Sequence, residues 1–203
     1  MEGIQWIRLM YAHPAGVTRE LADRLGQGKV LPYLEMPIQH VSEKVLESMG
    51  RRGGKKAVIE ALERLTARGE IFLRTTVMVG FPTEGEKEFQ ELMDFLHQAP
   101  FFRLAAFAYS PEEGTPAAEM DQLPQEERLD RLNQVLAFQE ELHYARNLEL
   151  VGKRVPILME EPGWSRFPGQ APEIDGRVKM QAEVEKERKS LMEALITDAD
   201  GVD

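Results

Sequence analysis

Two hydrophobic rhythms alternate along the first 120 positions. Four short apolar runs, Ile4–Met10, Leu31–Ile38, Ile71–Val79 and Leu104–Tyr109, have the length and residue types of buried strands. Between them the apolar spacing switches to the helical period. Thr18 to Leu25 reads as a short helix begun by Thr18 and stopped by Gly26. Ser42 to Met49 carries Val45, Leu46 and Met49 on one face, with Ser42 as N-cap and Gly50 to end it. Lys55–Arg68 repeats the pattern through Val58, Ala61, Leu62 and Leu65, and Glu86–His97 through Phe89, Leu92, Met93 and Leu96. Strand and helix in strict alternation predict an α/β fold with a parallel sheet, because parallel strands need a long crossover that a helix supplies.

Leu123-Pro124 opens a longer helical pattern, about Gln125 to Leu148, with an expected apolar stripe of Leu129, Leu132, Val135, Leu136 and Leu142. This helix is expected to link two domains. Past Gly152 the pattern shortens to a strand Val155–Met159, a Gly/Pro-rich stretch Glu161–Gly169, and extended segments Val178–Met180 and Ala194–Ile196, spacing that suits a small β-barrel. The charged segment Gln181–Lys189 gives no clear signal.

Composition narrows the class. With 42% hydrophobic and 30% charged residues over 203 positions, the chain can bury a real core. No apolar run approaches the roughly 20 residues that span a bilayer, and the start MEGIQWIRLMY has no basic leader, so a cytoplasmic location with no membrane partner is expected. A net charge of −10 opposes binding to a phosphate backbone, so a basic protein is the expected partner rather than nucleic acid. The chain has no cysteine, which excludes disulfides and thiolate-held metal. No metal ligands and no catalytic side chains are assigned.

Ligands of parallel α/β folds gather beyond the carboxyl ends of the strands. The first end is Tyr11-Ala12-His13-Pro14, where His13 is either a loop residue or a ligand. At the second, Gln39 and His40 set an amide and an imidazole beside a helix N-terminus that attracts anions; equally, Ser42 caps the helix and His40 faces solvent. At the third, Gly80 lets a backbone approach closely, while Phe81-Pro82 stiffens the turn and offers an apolar wall to a flat ligand. Just upstream, Arg74 pairs with a carboxylate if it faces inward and is a solvated charge if it faces outward. The fourth end, Tyr109 to Pro116, is acidic and rich in turn residues, as a surface loop would be.

Taken in order, Ile7-Arg8-Leu9-Met10-Tyr11 with His13-Pro14, Pro37-Ile38-Gln39-His40 with Ser42 and Met49-Gly50-Arg51, Leu73-Arg74-Thr75-Thr76 with Val79-Gly80-Phe81-Pro82, and Tyr109-Ser110-Pro111-Glu112-Glu113-Gly114-Thr115-Pro116-Ala117 resemble the radical S-adenosylmethionine (SAM) methylthiotransferases. The Ser-Pro-Glu-Glu-Gly-Thr loop and Gln170 to Gly176 resemble the RimO branch, which modifies an aspartate of a ribosomal protein, more than the tRNA-modifying MiaB branch. The resemblance implies that residues 1–120 are the last four strands of a partial (β/α) radical SAM barrel, 121–150 a linking helix, and 151–203 the start of a TRAM-like small β-barrel, incomplete here.

The resemblance further implies SAM and two iron–sulfur (4Fe-4S) clusters in the intact enzyme, whose cysteines this chain lacks. It would then be a severed part, inactive alone. In the intact enzyme an electron from a cluster would cleave SAM to a 5′-deoxyadenosyl radical, with hydrogen abstraction and sulfur and methyl transfer following. By the same analogy the backbone around Val79, Gly80 and Phe81 and around Ala108, Tyr109 and Ser110 would cradle the adenosine. Gln39 and His40 would line the cavity, and Arg74 is a further candidate. Relatives often read Gly-Phe-Pro-Gly-Glu-Thr at the third end; here Thr83 and Gly85 replace the second glycine and the threonine.

From residue 151 onward there are 8 Lys/Arg against 11 Asp/Glu, which suits a basic small-subunit ribosomal protein as substrate. A MiaB-type fragment and a free-standing α/β binding module are the alternatives. Loss of preceding strands would leave an open apolar edge at Ile4–Met10, prone to self-association.

Overall fold

A computed structural model describes residues 3–181 and 190–200. Strands β1 (Ile7–Leu9), β2 (Val30–Glu35), β3 (Phe72–Val79) and β4 (Arg103–Ala108) form one parallel sheet in chain order. The crossovers carry α1 (Arg19–Arg24), then α2 (Glu43–Ser48) with α3 (Gly54–Thr66), then α4 (Glu86–Gln98). Helices α1, α3 and α4 turn their apolar sides to one face of the sheet. There Val58, Ala61, Leu62 and Leu65 of α3 and Phe89, Leu92 and Leu96 of α4 bury against Leu34, Leu73, Val77, Val79 and Leu104. The hydroxyl of Thr18 accepts the amide of Leu21 and starts α1 as expected. Ser42 holds the N-cap position of α2 but makes no side-chain cap bond; its amide is donated to the His40 ring.

The long helix α5 (Gln125–Leu148) corrects the expected apolar stripe. Its buried residues are Arg131, Val135 and His143, while Leu129 is 45% exposed; Leu132 and Leu142 are only partly buried. The reason lies in what the helix covers. β4 is an edge strand, and its free backbone groups need partners. The His143 ring accepts the Leu104 amide at 3.0 Å, Arg146 donates to the Phe101 carbonyl at 3.0 Å, and Arg128 donates to the Tyr109 carbonyl at 2.7 Å. Polar side chains therefore face inward along α5. Among the described residues nothing pairs with the outer edge of β1.

Strands β5 (Arg154–Glu161), β6 (Trp164–Arg166), β7 (Val178–Lys179) and β8 (Leu191–Leu195) form a separate antiparallel sheet, ordered β7-β6-β5-β8. β6 lies inside the Gly/Pro-rich stretch that carried no strand expectation. Of the unassigned segment Gln181–Lys189, all but Gln181 lies outside the described residues. Val155, Ile157, Met159 and Phe167 of this sheet bury against Phe102 and Phe72, whose rings meet edge to face at 4.8 Å. The β6–β7 loop then covers the amino-terminal half of the parallel sheet's open face. Ala171 packs with Leu31 and Tyr33, Arg8 donates to the Pro168 carbonyl, and Arg74 donates to Asp175. Burial, followed by the nearby Asp175 carboxylate, holds the Tyr33 phenol above its usual range. Among the described residues no helix is long and apolar enough to cross a membrane.

Gly169 sits where the two sheets meet, and a Cβ there would lie 2.4–2.9 Å from the rings of Phe167, Phe72 and Phe102. We expect Gly169→Ala to cost about 1–3 kcal/mol in urea denaturation through overpacking of a three-ring contact. Unchanged stability would mean that the sheets do not share this core.

Candidate functional site

The four strand ends are stitched to one another by backbone bonds beyond the regular ladders. Ala12 donates to Glu35 at 2.9 Å, Gln39 donates to Thr76 at 2.9 Å, Met78 donates to Gln39 at 2.8 Å, and Tyr109 donates to Val79 at 2.8 Å. Gln39 thereby forms an isolated parallel bridge with Val77. Directly beyond three strands the backbone turns left-handed, at Tyr11 (φ 59°), Gln39 (φ 66°) and Gly80 (φ 73°). Two of these residues are not glycine, and such a conformation persists only where the surroundings impose it. Strain at two of these strand ends, Tyr11 and Gln39, singles out this rim as a candidate site.

At Gly80 the third end meets α5. A Cβ on Gly80 would lie 2.4 Å from Cγ, 2.9 Å from Cβ and 3.2 Å from Cα of Arg128, so the close approach is between backbone and helix. Phe81 is buried against Tyr109, ring centroids 5.1 Å apart, in a small cluster with Val45. Val79, Gly80 and Tyr109 are buried, with the Gly80 amide donated to Glu84, the Tyr109 amide to the Val79 carbonyl, and the Tyr109 carbonyl accepting Arg128. Ala108 is half-buried and Ser110 exposed. The Tyr109 hydroxyl is buried with no hydrogen-bond partner among the described residues.

His40 is fully buried. Its Nδ1 accepts the Ser42 amide at 2.9 Å, which leaves the proton on Nε2, and Nε2 donates to Glu84 at 3.1 Å. Both ring nitrogens are engaged, so the solvent-facing alternative for this residue does not hold. Gln39 is half-buried beside it. Arg74 lies apart from the rim. It faces the β6–β7 loop, bonded to Asp175 and 3.8 Å from Glu35, which resolves its register in favour of a buried carboxylate pair within this chain.

Sequence reasoning missed Glu84, Arg131 and Arg128. Glu84 is 2% exposed; it accepts the Gly80 amide at 2.9 Å and Arg131 at 2.7 Å on Oε1, and its backbone carbonyl accepts Arg131 at 2.8 Å. Arg128 and Arg131 share one face of α5 with Val135, and two arginines on an otherwise core-facing side were the available signal.

On the open face above the β6–β7 loop the exposed residues are Tyr11 (78%) and Phe107 (60%), with half-buried Met10, Thr76 and Met78 beside them. A rim of left-handed backbone beside uncovered apolar side chains suits a flat base. It does not fit an iron–sulfur cluster: the chain has no cysteine, and no group of His, Asp and Glu among the described residues could hold a metal ion. A large groove of about 1330 Å³ lies instead along the second sheet, mixing Arg177 and Lys179 with Glu161 and Glu193, and none of the sequence-predicted residues lines it.

Comparison with known proteins agrees with this architecture. The family model described as the Radical SAM superfamily matches residues 2–96. In fold, the chain is similar to coproporphyrinogen III oxidase (HemN) of Escherichia coli, a radical SAM enzyme, with a TM-score of 0.57 at 18% identity, covering 68% of this chain and 32% of that one. It is likewise similar to the archaeal Methanocaldococcus infernus Elp3, with a TM-score of 0.52 at 15% identity, over 65% and 32% of the two chains. Residues 2–96 thus match the radical SAM superfamily, and the fold is that of its solved members.

Ribosomal protein uS12 methylthiotransferases RimO resemble it over nearly its full length. That of Carboxydothermus hydrogenoformans is 38% identical over 98% of this chain and 48% of its own. That of Moorella thermoacetica is 42% identical over 90% and 43%, and that of Desulfitobacterium hafniense 41% over 100% and 47%. In sequence the chain is thus similar to the RimO-type methylthiotransferases over most of its length. It spans about half the length of the curated relatives it matches.

Gly80→Ala is expected to destabilise the fold by about 1–3 kcal/mol in urea denaturation, because it adds left-handed strain and a contact with the Arg128 backbone at once. A neutral substitution would contradict the close approach of α5 to this turn.

Proposed function

We propose that this polypeptide supplies the nucleoside-binding part of a radical SAM methylthiotransferase that adds a methylthio group to an aspartate side chain of a small-subunit ribosomal protein. The observation that carries the reading is the row of left-handed strand ends, Tyr11, Gln39 and Gly80, tied together beside an uncovered sheet face. In this reading residues 1–120 form the barrel part, 121–150 the connecting helix and 151–203 a TRAM-like unit that holds the macromolecular substrate. Support for the substrate comes from the relatives, whose names specify ribosomal protein uS12, and from the acidic balance of residues 151–203.

SAM would lie along the rim. The peptide groups around Val79, Gly80 and Phe81 and around Ala108, Tyr109 and Ser110 bind its adenosine, with Gln39 closing the side. When bound, SAM supplies the sulfonium from which a radical SAM enzyme generates its reactive radical. No thiolate exists here to hold a cluster, so no redox step runs through these residues, and cluster ligands have to come from other polypeptide. His40 is a wall-bracing residue in this scheme, and Arg74 secures the floor through Asp175.

Titration of the isotope-labelled chain with S-adenosylhomocysteine tests the reading. Amide shifts at Gln39, Gly80, Phe81, Ala108, Tyr109 and Ser110 are expected; shifts confined to residues 151–200 would contradict it. After anaerobic treatment with iron and sulfide the chain is expected to show no cluster absorbance and to release no 5′-deoxyadenosine from SAM. Retention of uS12 rather than tRNA at low salt is the outcome expected for the substrate, and retained tRNA would overturn that assignment.

A further inference from the structure

Glu84 and Arg131 form a buried ion pair next to the second and third strand ends. Their side chains are 0% and 4% exposed, and no ligand at the open face can reach them. Glu84 follows β3 and Arg131 is on α5, 47 positions along the chain, yet the pair is bonded to both the second and the third strand ends. Oε1 of Glu84 takes the Gly80 amide, Oε2 takes the His40 ring, and the other His40 nitrogen takes the Ser42 amide at the start of α2. Arg131 closes the set by bonding both the carboxylate and the backbone carbonyl of Glu84 with Nη1, while its Nη2 donates to Glu127 and its guanidinium lies 5.3 Å from the Phe89 ring centroid.

A carboxylate accepts and does not donate, so each bond has one permitted direction. The Ser42 amide needs an acceptor, so Nδ1 of His40 carries no proton and the ring's proton lies on Nε2, where Glu84 receives it. The whole chain of bonds therefore has a single consistent arrangement, and reversing one member leaves two donors facing each other. Such a network specifies one geometry, because any partly satisfied alternative leaves buried polar groups unpaired.

We infer that Glu84 and Arg131 are positioning residues of the nucleoside cradle: they fix the Gly80 peptide and the His40 ring, and through them the relative placement of the second and third strand ends. The role in nucleoside binding rests on the function proposed above. Positioning itself stands on the bonding pattern and is tested separately.

The experiment uses the unmodified chain, Glu84→Gln, Arg131→Met and Arg131→Lys, with three readouts: ring nitrogen shifts of His40, hydrogen exchange of the Gly80 amide, and affinity for S-adenosylhomocysteine. In the unmodified chain His40 is expected in the Nε2–H form with the Gly80 amide protected. Glu84→Gln sets an amide donor against His40 or against Gly80, so the His40 nitrogen pattern should change and Gly80 exchange should accelerate by about tenfold or more. Affinity should fall by a similar factor, and Arg131→Lys should restore part of what Arg131→Met loses.

A Gly80 amide in the unmodified chain that exchanges as freely as the exposed Ser110 amide overturns the inference, whether or not any variant folds. So does a folded Glu84→Gln chain with unchanged His40 shifts, Gly80 exchange and affinity. If the unmodified chain binds no S-adenosylhomocysteine, the proposed function fails, and the His40 and Gly80 readouts alone decide the positioning claim.

Discussion

A parallel sheet ends in rows of peptide groups whose partners cannot come from the ladder, and the whole architecture answers that constraint. At the carboxyl ends, Gln39 and Tyr109 return their amides to the neighbouring strand, and the Gly80 amide goes to a carboxylate. At the β4 edge the answer is a helix. His143, Arg146 and Arg128 of α5 bond backbone groups at Leu104, Phe101 and Tyr109, so one side of the sheet is closed to further strands. Unpaired backbone groups are costly when buried, so a helix with a polar inner face is more favourable here than an apolar one.

The same helix connects the two sheets to the rim. Its first turns carry Arg128 and Arg131 to the third strand end, and its last turns carry Arg146 and Asn147 to the start of β4, where Asn147 accepts Arg103 at 2.6 Å. Below, the Phe72, Phe102 and Phe167 rings and the Arg74–Asp175 pair hold the second sheet against the amino ends of the strands. What stays uncovered is the carboxyl half of one face, between Tyr11, Met78 and Phe107. The open region is thus defined by what the other elements cover.

Much of this frame was legible in the residues. Four apolar runs became four parallel strands, and Pro124 marked the start of α5 to the residue, because hydrophobic periodicity and helix stops act locally. The inner face of α5 was not legible: buried Arg131 and His143 look like surface positions until the edge they satisfy is known. β6 was hidden because Gly163 and Pro162 read as turn and loop, although Trp164 and Ser165 pair with Lys179 and Val178. The loops at the strand ends could be located from sequence, but the side chains bracing them could not. Glu84 meets His40 across 44 positions and Arg131 across 47, and no local pattern encodes such a meeting.

The central claim is that adjacent strand ends form one nucleoside cradle. A crystal structure of the chain grown with S-adenosylhomocysteine tests it most directly. The account predicts purine density against the Gly80 and Tyr109 backbone, flanked by Gln39 and the open face at Thr76 and Phe107. Density lodged in the groove of the second sheet, with the rim vacant, would contradict it.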